Sequence, residues 1–485
     1  MVLFINRTVF LVFALLLTVV KTTPSMASEL LRADGPYFKD TQGRAVLLRG
    51  INLSNSGKTP PFNPLPDSTV LQKLKDWGIN NIRLTFIWEA FEPQRGQYDF
   101  DYLKKLEALV NAAGRLGIST VLDFHSDAFS RYSIGGCGSG FPRWAIPPGV
   151  VPSQPANDAS CLPWSVVSGT EYLWPPSGYR KSIEAFYSDA YGVRTRYELA
   201  WRQLAHIFKN NPYLIGYDLL NEPWASEKKN LAPLYEGVAK VIRAEDPNTI
   251  IMIEPMVMTA LGAPPQLPAP SFDNFAYAPH DYDALAVAFK IWFTGGLFID
   301  RILGAIETTA DRLKAPIYVG EFGASGNGLG SEALVRHYYN LFDQKFISSA
   351  QWDLSQWTPS RQDGWNKEDM SITGSNGQLR KNFIVRPYPM AVSGEPGEIH
   401  ENFPDLSRGE AKHLSFRWVH RPELGETVFA IPKDTMGGRD FDVNFKPDDP
   451  SLYCHFDRST WTLSCFSPRG GVKNVVLLIH QKDNG

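Results

Sequence analysis

The stretch Leu214-Ile215-Gly216-Tyr217-Asp218-Leu219-Leu220-Asn221-Glu222-Pro223-Trp224 reads as an apolar strand that runs straight into a carboxylate. The same kind of unit recurs on both sides of it. Strands are expected at 46–51, 81–86 and 120–124 before it, and at 250–253, 275–278, 316–319 and 349–352 after it. Helical spacing of apolar residues marks 69–77, the region around 103–110, 194–209, 231–244, 298–314 and 331–344. Eight mostly apolar strands separated by helices predict a parallel sheet buried on both faces. Eight such repeats fit a (β/α)8 TIM barrel better than an open sheet.

Outside this region the pattern changes twice. Near 386 the run Arg386-Pro387-Tyr388-Pro389 reads as a linker. Beyond it, short strand candidates recur at 414–419, 426–431, 451–456, 461–464 and 475–479, as in a small all-β sandwich domain. At the other end, Arg7 precedes the apolar run 9–20, and Ser25-Met26-Ala27 supplies small residues for cleavage. That is the form of a secretory signal peptide. The expected organisation is therefore a signal segment at 1–27, a catalytic α/β barrel at 28–385 and a β-sandwich at 386–485. A secreted monomer is expected.

Composition narrows the classes of function. Of the 485 residues, 43% are hydrophobic and 20% charged, which excludes a disordered or collagen-like chain. Lys+Arg is 48 against Asp+Glu 51, so no basic excess points to nucleic acid. Four cysteines suit export. Three connectivities are open, and the two near pairs, Cys137 with Cys161 and Cys454 with Cys465, are favoured because they lie in different regions. Neither pair has Cys-x-x-Cys spacing and no His-x-x-x-His occurs, so no metal site is expected, nor any cofactor.

Barrel enzymes carry their chemistry at the C-terminal ends of the strands. Read in order, those ends hold Arg83, His125, Asn221 with Glu222, Glu254, His280 with Tyr282, Glu321 and Trp352. Glu222 follows the fourth strand and Glu321 the seventh, which places them across the barrel from each other. Retaining glycosidases need two carboxyl groups roughly 5–5.5 Å apart, one as acid/base and one as nucleophile. The acid/base must begin protonated, with burial or its neighbour raising its pKa. The nucleophile must stay ionised, for which Arg83 is the candidate partner. Asn221 is placed to bond the sugar 2-OH.

Asn221-Glu222-Pro223, Gly320-Glu321-Phe322-Gly323, Asn81-Ile82-Arg83 and His280-Asp281-Tyr282 together resemble glycoside hydrolase family five, whose members are retaining (β/α)8 enzymes. Within it the chain is similar to the endoglycoceramidases. That likeness rests on Arg49-Gly50-Ile51-Asn52 with Gly57-Lys58-Thr59-Pro60, on His125-Ser126-Asp127 leading to Ser130-Arg131, on Glu222-Pro223-Trp224 and on the linker with its β-domain. The resemblance implies Glu222 as acid/base and Glu321 as nucleophile. It implies Lys58, His125, Asp127, Asn221, Tyr282 and Trp352 as sugar contacts. The substrate class it implies is glycosphingolipid, met at a membrane surface or micelle. Ser126 departs from the larger polar residue expected there, and both glucose and galactose next to ceramide stay open.

The residues give a separate reason to expect a lipid. The segment 142–176 contains Trp144, Trp164 and Trp174, and 285–299 is strongly apolar around Trp292, Phe293, Leu297 and Phe298. Both follow strand ends, so both belong to the active-site face. An ordinary buried helix is the competing reading of 285–299. For the whole chain the alternatives are a cellulase- or mannanase-like hydrolase and a non-catalytic glycan-binding protein.

Overall fold

The computed structural model describes residues 31–54, 57–65, 67–133, 136–155, 170–174, 176–355, 368–402 and 412–482. The expected signal segment, Trp164 and Cys161 lie outside the described residues, and with Cys161 the predicted Cys137–Cys161 bridge.

Three short strands come first: β1 (Arg32–Asp34), β2 (Tyr37–Lys39) and β3 (Ala45–Val46). Then come the eight barrel strands: β4 (Arg49–Leu53), β5 (Asn81–Phe86), β6 (Ser119–Phe124), β7 (Leu214–Asp218), β8 (Ile250–Ile253), β9 (Phe275–Tyr277), β10 (Tyr318–Val319) and β11 (Ser348–Leu354). Neighbours pair in parallel from β4 through to β9, and β11 pairs with β4 on one side and β10 on the other. Parallel bridges Tyr277–Ile317 and His280–Glu321 join the β9 and β10 sides and complete the circle.

Strand alternation sorts the side chains. On β5, Ile82, Leu84 and Phe86 join the large core beneath the helices. Arg83, in the opposite register, is wholly buried within the barrel. On β6, Leu122 and Phe124 face the same outer core, while Val121 belongs to a separate cluster with Ile215, Ile250, Ala276 and Ala350. Leu31, just before β1, and Phe38 and Val46 from β2 and β3 belong to that inner cluster too.

The expected first strand at 46–51 is two strands. Ala45–Val46 pairs antiparallel with β12 (Tyr388–Val392), and Arg49–Leu53 enters the barrel. The seven-stranded sheet therefore runs β1-β2-β3-β12 and on through β15 (Thr427–Ala430), β18 (Thr462–Phe466) and β17 (Tyr453–Asp457). A four-stranded sheet packs with it, in the order β13 (Gly394–Asn402), β14 (Lys412–His420), β19 (Gly471–Gln481) and β16 (Phe441–Pro447). A boundary at 385/386 thus divides this sheet, because its first strands precede the barrel. Backbone pairing between distant segments leaves no local pattern to read. Phe416, Trp418, Phe429, Leu463 and Leu477 fill the sandwich core. Cys454 and Cys465 stand opposite each other on β17 and β18 and form the predicted disulfide.

Candidate active site

Glu222 and Glu321 meet over the C-terminal mouth of the barrel. One oxygen of each carboxylate and one ring nitrogen of His280 all lie within 4.8 Å of one another. The Glu222 backbone is left-handed, with φ 44°, and its N–H donates to Glu254 Oε2 at 2.8 Å. A non-glycine residue in that region is strained, and such strain concentrates at functional positions.

Arg83 organises the floor. Its Nε donates to Asp218 at 2.9 Å, and Nη1 donates to Glu321 Oε1 at 2.9 Å and to Asn52 at 3.1 Å. Nη2 donates to Asn221 and Glu254, both at 2.9 Å, and pairs with Asp123 at 3.0 Å. Burial alone would weaken its charge, but Asp123, Asp218, Glu321 and Glu254 outweigh that. Tyr282 donates to Glu321 Oε2 at 3.0 Å. Glu321 thus receives two donors, the arrangement of a charge-bearing carboxylate.

Arg83 favours the charged form of Glu321, as expected, but does not set its titration alone. Burial pushes Glu321 above the usual carboxylate range; His280 and Arg83 pull against that, and Glu222 adds to the rise. His280 sits 3.0 Å from Glu222 Oε1, 3.6 Å from Glu321 Oε2 and 3.4 Å from Glu254. Burial would lower it, but Glu254 and Glu321, with hydrogen bonds to Glu222 and Glu254, carry it well above the ordinary histidine value. Its carboxylate neighbours thus favour the charged imidazolium form of His280.

A second group adjoins the first. His125 Nδ1 lies 2.6 Å from Asp123 and its Nε2 3.1 Å from Asp127. Burial opposes its charge, yet Asp127 and Asp123 hold it at about 9. Lys58 Nζ lies 2.8 Å from Asp127 and 4.3 Å over the Trp352 ring, and His125 stacks near-parallel to that ring at 5.6 Å. Trp352 Nε1 donates to Glu368 at 2.9 Å. Burial lifts Glu368 to about 7 against the pull of Lys58. An indole flanked by fixed charges and hydrogen-bonding groups suits a sugar ring.

Arg83, Asn221, Glu222, His280, Tyr282 and Glu321 therefore gather in one group, and Lys58, His125, Asp127 and Trp352 in the next. Asn52, Asp123, Asp218 and Glu368 were not singled out as site residues, and Glu254 was noted only as a strand end. Asp123 and Asp218 had a usable signal: a carboxylate at an inner position of an otherwise apolar strand. Asn52, which matches a glycosylation sequon, is fully buried and donates to Gly320 O at 2.9 Å.

The apolar face is partly as expected. Phe293, Leu297 and Phe298 are exposed, at 69%, 76% and 54%, joined by Phe289 and Leu329. Trp292 is half-buried instead: it packs against the main core, with its backbone N–H on Leu329 O at 2.9 Å. Trp174 is exposed, whereas Trp144 packs edge-on to Trp88 at 5.1 Å.

Known proteins share this architecture. Endoglycoceramidase I of Rhodococcus hoagii is 27% identical over 405 residues, 78% of this chain and 75% of that one. An endoglycoceramidase of Cyanea nozakii is 29% identical over 248 residues, 44% of this chain and 48% of its own length. Among solved structures, endo-glycoceramidase II from Rhodococcus sp., as its lactosyl-enzyme intermediate, superposes with a TM-score of 0.74 at 24% identity, covering 92% of this chain and 100% of that one. At that identity the likeness speaks for the fold. The family description "Cellulase (glycosyl hydrolase family 5)" matches residues 39–357, most of the chain and the whole barrel from β4 to β11. This chain belongs to glycosyl hydrolase family 5.

Proposed function

We propose that the chain is a retaining endoglycosidase that releases the glycan from glycosphingolipids by cleaving the β-bond to ceramide. The observation that carries this is the Glu222–Glu321 pair within 4.8 Å, with exposed Phe289, Phe293, Leu297 and Phe298 on the segment that follows β9. The relatives named endoglycoceramidase, and the Rhodococcus enzyme solved with ganglioside GM3, support it.

Glu321, fixed by Arg83 and Tyr282, attacks the anomeric carbon as the bond to the ceramide oxygen breaks. Glu222 gives its proton to that oxygen. Water then attacks the glycosyl-enzyme and loses a proton to Glu222, and Glu321 departs as a carboxylate. In this second half Glu222 is ionised and His280, at 3.0 Å, stabilises its charge. The sugar lies against Trp352, with Lys58, His125 and Asp127 bonding its hydroxyls. The exposed apolar side chains touch the micelle or membrane, where each buried methylene contributes about 0.8 kcal/mol.

The enzyme is proposed to be secreted, on the strength of the 1–27 segment; mass spectrometry of the chain from culture medium tests that. The test of function is product analysis on lactosylceramide, galactosylceramide and a plain β-glucan. Release of intact β-lactose with free ceramide is expected. An initial α-anomer by proton NMR would remove Glu321 from its role, and turnover of glucan alone would favour a cellulase-like enzyme.

A further inference from the structure

Beside Glu222 lies a narrow hollow that the steps above leave unused. Phe129, Tyr179, Tyr187 and Trp224 wall it, next to Asn221 and Glu222. Trp224 is only 9% exposed and packs on Tyr172 at 4.7 Å. Its indole N–H is buried and has no hydrogen-bond partner among the described residues. Buried indole N–H groups ordinarily find an acceptor, because leaving one unbonded is costly. Among the described residues Trp292 shares that state, but it does not border this hollow. Trp224, two residues after Glu222, thus brings an unbonded donor to the residues that line this hollow with Glu222.

We infer that Trp224 determines specificity for the leaving group, its Nε1–H donating to the amide carbonyl of the lipid. The inference rests on the ceramide reading above. In a ceramide the amide nitrogen is attached to the carbon next to the one bearing the glycosidic oxygen. The carbonyl therefore lies at a short, fixed reach from the atom that Glu222 protonates. A sterol or simple alkyl aglycone has no acceptor there and would leave the indole unbonded. A site built around such a donor discriminates strongly against ligands lacking the acceptor.

Trp224→Phe keeps an aromatic ring against Tyr172 and deletes the donor. The test is the ratio of kcat/KM for lactosylceramide to that for dodecyl lactoside, measured in one detergent on one preparation of each protein, so that partial unfolding cancels. The ratio should fall about tenfold in the variant, the worth of one hydrogen bond. A ratio within twofold of wild type overturns the inference, whether both activities hold or both fall. Should the variant not fold, the wild type is compared on lactosylceramide and on an analogue with an all-carbon alkyl chain in place of the amide. A preference of about tenfold for the amide is expected, and equal rates overturn the inference. A wild type that turns over dodecyl lactoside but never lactosylceramide refutes the ceramide reading itself, a result distinct from an unchanged ratio.

Discussion

Arg83→Lys is the sharpest test of the barrel floor. Lysine keeps the positive charge but offers three N–H donors from one point, whereas the guanidinium is a rigid fork. Arg83 makes five side-chain hydrogen bonds, to Asp218, Asn52, Glu321, Asn221 and Glu254. At least two must be lost. Hydrogen bonds to charged groups contribute roughly 1.5–3 kcal/mol each, so the loss is about 3–6 kcal/mol, the scale of a broken buried ion pair. The thermal midpoint, followed by tryptophan fluorescence, should drop by several degrees. The pH profile of kcat/KM on a soluble aryl lactoside reads the same change at Glu321. A less closely held cation lets burial raise the Glu321 carboxyl further, so the acid limb should move to higher pH. A variant within about 1 kcal/mol of wild type, with its acid limb unmoved, would refute the claim that the fork holds these anions together.

Three further outcomes are expected. Glu321→Ala should abolish turnover because no glycosyl-enzyme can form, while Glu222→Ala should cost most on lactosylceramide and least on an activated aryl lactoside, whose leaving group needs little protonation; steady-state rates on the two substrates check this. In the wild type Glu321 is raised and must be ionised to attack, so kcat/KM should fall as pH drops through a value above the ordinary glutamate figure of about 4.3, which a pH series on a soluble substrate measures. Phe289→Ser with Phe293→Ser should weaken action on glycosphingolipid micelles by about tenfold or more, from a few kcal/mol of lost apolar contact, and spare a soluble aryl lactoside; equal losses on both would return those side chains to a structural role.

The barrel was legible because its strands and helices have strong periods, and helix 331–344 is found at Ser331–Gln344. The strand-end residues were legible because polarity beside an apolar run is conspicuous. What stayed hidden lay within the strands or between distant segments. Asp123 and Asp218 are single carboxylates inside mostly apolar runs, a signal readable only once β5 and β6 are seen to alternate between a helix-facing apolar side and a side that includes Arg83 and Asp123. Glu368 belongs to no strand or helix, so nothing local marks it. The apolar run 285–299 could not tell which of its residues face outward, and Trp292, its largest side chain, is half-buried against the core while Phe293 is exposed. Likewise 46–51 looked continuous because hydropathy does not record a chain leaving one sheet for another.

That crossing from sheet to sheet constrains how the chain can be made. Val46 pairs with Ala391 and Ala45 with Val392, so a strand made before the barrel waits for a partner that emerges only after the whole barrel. Until then the open edge of β3 is available to other chains, and unpaired edges of this kind invite aggregation. Pairing across so long an intervening segment is also slow to nucleate. A protease that trims the N-terminus past Val46 would strip three strands from a sheet whose other members lie beyond the barrel. Damage before the first barrel strand would then loosen the distant sheet together with the barrel's inner cluster, which loses Leu31, Phe38 and Val46, although no catalytic side chain has been cut away.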